Sequence, residues 1–188
     1  MASHHSTLSD EHRRFIEAQH LFFVATAPLS ERGHVNLSPK GLDSFRVIDE
    51  RSVAYFDFVG SGAETIAHLR ENGRITIMFC AFDGPPKILR IHGRGRVIEP
   101  ADAEFAEALR PFSTDRPARA IIAIAVERVS VSCGYGVPLF RFESERSDLD
   151  AWCDRKGSEG IRQYQIAKNA QSLDGLPALR WVASEGRA

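Results

Sequence analysis

Apolar runs of strand length follow one another in this chain at gaps too short for a crossover helix, and that spacing constrains the fold more than any other feature. A parallel pair needs a connection of a dozen or more residues, whereas an antiparallel pair closes through a turn. Residues 21–26 and 34–38 flank a turn at 28–33 and read as one hairpin, with Pro39 expected to stop its second strand. Residues 45–48 and 52–58 flank the polar turn Asp49-Glu50-Arg51, and residues 75–82 and 87–98 flank Asp83-Gly84-Pro85-Pro86. Residues 120–131, rich in Ile and Val, add a further strand. Helices are expected near the N-terminus (capped by Thr7 or Ser9), from Glu64 to a C-cap at Asn72-Gly73, at about 100–109, and over 148–169. The end from Gln171 carries no periodic signal and reads as loose. The pattern predicts a mainly β (α+β) chain, an antiparallel barrel with peripheral helices and a helical C-terminal extension.

The 188 residues show no repeat and no linker, so a single domain over 1–188 is expected. Twenty-four Lys and Arg against 25 Asp and Glu leave a net charge of −1, which argues against nucleic acid as a partner. The apolar runs fall short of the roughly 20 residues a membrane span needs, and residues 1–17 lack the apolar centre of a signal peptide. Cys80, Cys133 and Cys153 form no Cys-x-x-Cys pair, so a cytoplasmic chain without disulfide or zinc is expected. Twelve Phe against three Tyr and two Trp suggest an aromatic interior, with Phe56, beside Tyr55, as the neighbour of any flat ligand.

Three segments carry possible chemistry. Gly60-Ser61-Gly62-Ala63-Glu64-Thr65 follows a strand and opens a helix, but Thr65 stands where a dinucleotide-binding turn has its third glycine. Two readings stay open there, helix capping by Ser61 and a phosphate cradle of N–H groups with the Ser61 and Thr65 hydroxyls. On the strand 88–98, Arg90, His92, Arg94 and Arg96 share one face, opposite Leu89, Ile91, Gly93, Gly95 and Val97. That face is either solvated or, at Arg90, meets an anionic ligand, while the glycines mark a close backbone approach or a bend. Lys40, just past a strand end, is either a surface residue or a phosphate contact. His4, His5 and His12 are expected in solvent, His68 in packing, and no His-Glu-x-x-His or Gly-x-Ser-x-Gly motif occurs.

The order of His34-Val35-Asn36-Leu37-Ser38-Pro39-Lys40-Gly41, Val53-Ala54-Tyr55-Phe56-Asp57, the helix from Glu64 and Ile88-Leu89-Arg90-Ile91-His92-Gly93-Arg94-Gly95 resembles the pyridoxamine 5′-phosphate oxidase-like family of FMN-binding split barrels. The resemblance spans about residues 15–135 and implies a six-stranded Greek-key split barrel that pairs into a homodimer with FMN between subunits. It implies that Asn36, Ser38 and Lys40 meet the flavin or its phosphate, and that Tyr55 and Phe56 lie along the ring. Gly62, Glu64 and Thr65 would form the phosphate-side turn, with Lys40 and Arg90 supplying the countercharge. Residues 141–146 lack the His with which vitamin B6 oxidases close, so pyridoxamine phosphate oxidation is not expected. The expectation is an FMN-dependent oxidoreductase of unknown small-molecule substrate or electron donor, with residues 146–188 as an addition. A flavin- or haem-binding protein without turnover, acting in storage, sensing or stress protection, is the alternative, since similar split barrels bind haem or a deazaflavin; haem would use His92 or His68. An interaction module with an empty cleft is a third.

Overall fold

The computed structural model describes residues 3–185. In chain order the elements are β1 (Ser3–His5), α1 (Asp10–Glu17), β2 (Phe22–Thr26), β3 (Asn36–Lys40), β4 (Phe45–Val47), β5 (Ser52–Phe58) and α2 (Glu64–Asn72). There follow β6 (Arg74–Cys80), β7 (Ile88–Ile98), α3 (Phe105–Leu109), β8 (Ala118–Ser132), α4 (Asp148–Lys168) and α5 (Arg180–Glu185). Every strand pair is antiparallel, in the order β3-β2-β6-β7-β8-β5-β4, with β1 added to β8. This is an antiparallel split barrel with helices outside it. The sheet has eight strands rather than six. One of them, β1, lies in the polar terminus, where it pairs with Val129–Val131 and no apolar pattern announces it.

One face of the sheet closes over a core of Phe22, Val24, Tyr55, Ile77, Phe79, Leu89, Ile91 and Ile122, lidded by Ile66, Ala67 and Leu69 of α2. Burying a side chain of this size stabilises the fold by about 1.5–3 kcal/mol. Phe22, Phe45 and Phe79 pack at ring separations of 5.0 to 5.7 Å, so much of the Phe excess is barrel core. A second cluster on the opposite face joins Phe56, Ile98, Phe112 and Ile121 beneath α3. The two strand glycines have separate causes. A Cβ on Gly95 would lie 2.8 Å from Leu69, where α2 crosses β7, and one on Gly93 would strike the Ala125 carbonyl at 2.2 Å, beside the bulge at His92/Gly93.

Several expectations are corrected. Pro39 does not stop β3 but sits inside it opposite Phe23, tolerated because β3 is the sheet edge. The helix expected at 100–109 shrinks to Phe105–Leu109, because Asp102 N–H to Glu99 C=O and Phe105 N–H to Asp102 C=O make successive turns first. His12 is buried rather than solvated, since it accepts the Ser9 N–H through Nδ1 while Ser9 Oγ accepts the His12 N–H, a reciprocal helix cap. Two helical segments meet at Gly157 (φ 63°) within α4.

The C-terminus is folded, not loose: Ala178, Leu179 and Val182 enter the barrel core. Arg70 Nε donates to the Ala178 carbonyl at 2.6 Å, and the buried Glu99 carboxylate binds Arg70 and accepts the Arg180 N–H at 3.0 Å. Among the described residues no helix is long and apolar enough to cross a membrane.

Candidate functional site

Edge strand β3, the end of β5, the loop after it and the first turn of α2 enclose a cleft of about 290 Å³. Strand alternation points Asn36, Ser38 and Lys40 to the cleft side and leaves Leu37 exposed. Thr65 and Glu64 come from the first turn of α2, whose N-cap, Ala63, offers no side-chain bond. Ser61 therefore does not cap this helix, and the positive end of its dipole faces the cleft.

Asp57, fully buried on β5, sets the charge of the site. Lys40 Nζ donates to its Oδ1 at 3.0 Å, and Arg119 at the start of β8 donates to its Oδ2 through Nε at 2.9 Å. Burial alone would raise the Asp57 carboxyl, but the Arg119 and Lys40 charges, with their hydrogen bonds, hold it below its ordinary value. Two cations share this one buried anion, and Glu64 brings a second carboxylate to the cleft lining. The other arm of Arg119 donates to the Gly60 and Gly62 carbonyls and fastens the loop to the sheet.

A polar chain runs inward from the cleft. Ser38 Oγ donates to Asn36 Oδ1 at 2.9 Å, and Asn36 Nδ2 donates to Thr65 Oγ1 at 3.0 Å and Thr26 Oγ1 at 3.3 Å. Thr26 Oγ1 in turn pairs with Nδ1 of the fully buried His68 at 3.0 Å. Burial lowers the His68 pKa, against the pull of Asp174, Glu64 and Glu71. At the opposite rim, Leu42 (φ 59°) and Asp43 (φ 52°) are consecutive left-handed residues without being glycine. Arg46 holds them there by donating to both Asp43 carboxylate oxygens at 2.8 Å. Backbone strain held by a clamp of this kind concentrates at functional clefts.

The chain thus brings together Asn36, Ser38, Lys40, Gly62, Glu64 and Thr65 of the residues singled out in the sequence. Tyr55 lies beneath them in the core, fully buried, its ring 5.9 Å from Lys40 Nζ; its hydroxyl has no hydrogen-bond partner among the described residues, and burial raises its pKa well above the ordinary value. Phe56, the next residue along the strand, points to the opposite face and packs on Phe112, so the two rings cannot form one surface. Arg90 is outside the cleft, donating to Ser132 Oγ at 3.3 Å.

The sequence matches the pyridoxamine 5′-phosphate oxidase family over residues 8–133, two thirds of its length. The chain belongs to the pyridoxamine 5′-phosphate oxidase family. Within it, the pyridoxamine 5′-phosphate oxidase family protein ustO of Aspergillus flavus is 41% identical over 192 residues, covering 93% of this chain and 77% of the relative. A crystal structure of a HupZ variant from Group A Streptococcus superposes with a TM-score of 0.53 at 26% identity, over 64% of this chain and 96% of that one. A Lactobacillus delbrueckii protein whose name places it with the pyridoxamine 5′-phosphate oxidases gives 0.53 at 18%, over 66% and 94%, a likeness of fold alone.

The family match ends at residue 133, so it leaves out the part of this family member that closes the cleft from behind. Asn169, fully buried, donates to the Gly60 carbonyl at 2.9 Å, and Leu173 N–H donates to Glu64 Oε1 at 3.3 Å. Asp174 accepts the His34 N–H at 2.8 Å and pairs with its Nδ1 at 2.7 Å, and these bonds hold the Asp174 carboxyl below its ordinary value. Sequence reasoning missed Asp57, Arg119, Asn169 and Asp174. For Asp57 a signal existed, a lone carboxylate within the apolar run 53–58.

Proposed function

We propose that this cleft takes the phosphate end of FMN, and that the chain works as a homodimer that passes electrons or hydride between the flavin and a small-molecule partner. The observation that carries the reading is the Lys40–Asp57–Arg119 group beneath an uncapped helix N-terminus. Its donor set suits a phosphate monoester: a cation with one carboxylate bond, the Thr65 hydroxyl, whose oxygen accepts from Asn36, and the N–H groups of a first helical turn. In that role Lys40 binds the phosphate, Arg119 holds the loop, and Asn36 and Thr65 orient the sugar-chain side. Bound FMN supplies the redox chemistry itself, so no acid or base of the chain is required. The apolar side chains of Val35 and Leu37, exposed beside the cleft at 74% and 64%, support a subunit contact on this edge.

Haem binding without turnover is the second reading. His68 suits it poorly, because its ring is fully buried and its Nδ1 is paired with Thr26. It would fall to His92, which lines a separate cleft of about 400 Å³ and pairs through Nδ1 with Thr76 Oγ1. Titration with FMN and with haemin separates them: FMN saturating at one per chain supports the flavin site, whereas haemin uptake lost in His92→Ala supports the other.

A further inference from the structure

The chain keeps an anion of its own at the phosphate end of the cleft. The Glu64 side chain turns back over the loop, so that a Cβ on Gly62 would lie 2.3 Å from its Oε2. Its other oxygen accepts the Leu173 N–H at 3.3 Å. Leu173 is the second residue of a turn closed by the Gly175 N–H to the Ser172 carbonyl at 3.0 Å, and the same turn presents Asp174 to His34. The C-terminal extension therefore holds a carboxylate in front of the helix N-terminus that faces Lys40 and Arg119.

We propose that Glu64 is a specificity residue that competes with the ligand's phosphate, and that the Leu173 amide sets how strongly it competes. This rests on the cleft being a flavin site. A carboxylate at that place opposes a phosphate dianion by charge and by occupancy, yet leaves an unphosphorylated ligand unaffected. The extension thereby tunes the preference between FMN and riboflavin without touching the ring.

The test is titration of the full-length protein with FMN and with riboflavin, in wild type, Glu64→Gln and Leu173→Pro. Proline is accepted at the second position of such a turn, so that variant removes the amide and retains Glu64. Glu64→Gln is expected to raise the FMN-to-riboflavin affinity ratio about tenfold, and Leu173→Pro to raise it about threefold. An unchanged ratio in variants that bind both flavins overturns the proposal, as does equal weakening of both, which would make Glu64 an acceptor for the sugar chain. Binding of neither flavin by wild type removes the cleft reading itself, a result distinguishable from an unchanged ratio.

Discussion

Two parts of the molecule concentrate positive charge, and they are built differently. On the outer face of β7, Arg94 pairs with Glu127 at 3.2 Å and Arg96 pairs with Glu104, each side chain being at least half exposed. At the cleft, Lys40 and Arg119 share the fully buried Asp57. The first arrangement gives Arg94 and Arg96 a surface carboxylate each. The second gives two cations a single buried carboxylate between them, next to a helix whose N-cap residue makes no side-chain bond. Burial limits the number of counter-ions, so the way a cation is paired does not follow from how many arginines a segment carries.

The largest effect is expected at Arg119. Removing it leaves Asp57 buried with only Lys40, and breaking one side of a buried pair costs about 3–5 kcal/mol. Arg119→Leu should therefore lower the denaturant midpoint sharply; a near-wild-type midpoint would mean that Asp57 does not depend on it. Lys40→Ala comes next. It should weaken FMN binding by about tenfold or more and leave riboflavin almost unchanged, because Arg119 still satisfies the carboxylate. Equal losses for both ligands would take Lys40 away from the phosphate.

A smaller effect follows from the buried histidines. Burial lowers the pKa of His68, His12 and His92 in the fold. The unfolded chain therefore takes up protons near pH 6.5 that the folded chain refuses, so this stability is present above about pH 6.5 and is lost as pH falls. Urea midpoints should drop between about pH 7.5 and 5.5, and His68→Gln should flatten part of that drop. A slope that the variant leaves untouched would assign it to the other two. The smallest effect belongs to the outer face: Arg96→Ala should change stability by less than about 0.5 kcal/mol and leave FMN affinity unchanged.

The fold was largely legible because its signals are local. Hairpin-sized gaps identified the antiparallel sheet, the alternation along Ile88–Ile98 set the two faces of β7, and Gly73, left-handed at φ 69°, marked the end of α2. The lining of the candidate cleft was legible in part. Asn36, Ser38, Lys40, Gly62, Glu64 and Thr65 meet in one cleft, but Arg90 does not join them. Alternation alone separates Tyr55 from Phe56, so that pairing conflicted with a rule the sequence already obeyed. What was not legible is long-range. Asp57 and Arg119 meet across 62 positions, and Asp174 reaches His34 across 140. The C-terminal segment docks through single residues such as Leu179 and Asn169, which leave no periodic trace.

The most direct measurement is the absorbance spectrum of the purified full-length protein before and after addition of FMN. Flavin bands reaching one FMN per chain are the predicted result. A Soret band, or a colourless protein that takes up no FMN, would contradict the assignment of the Lys40–Asp57–Arg119 cleft.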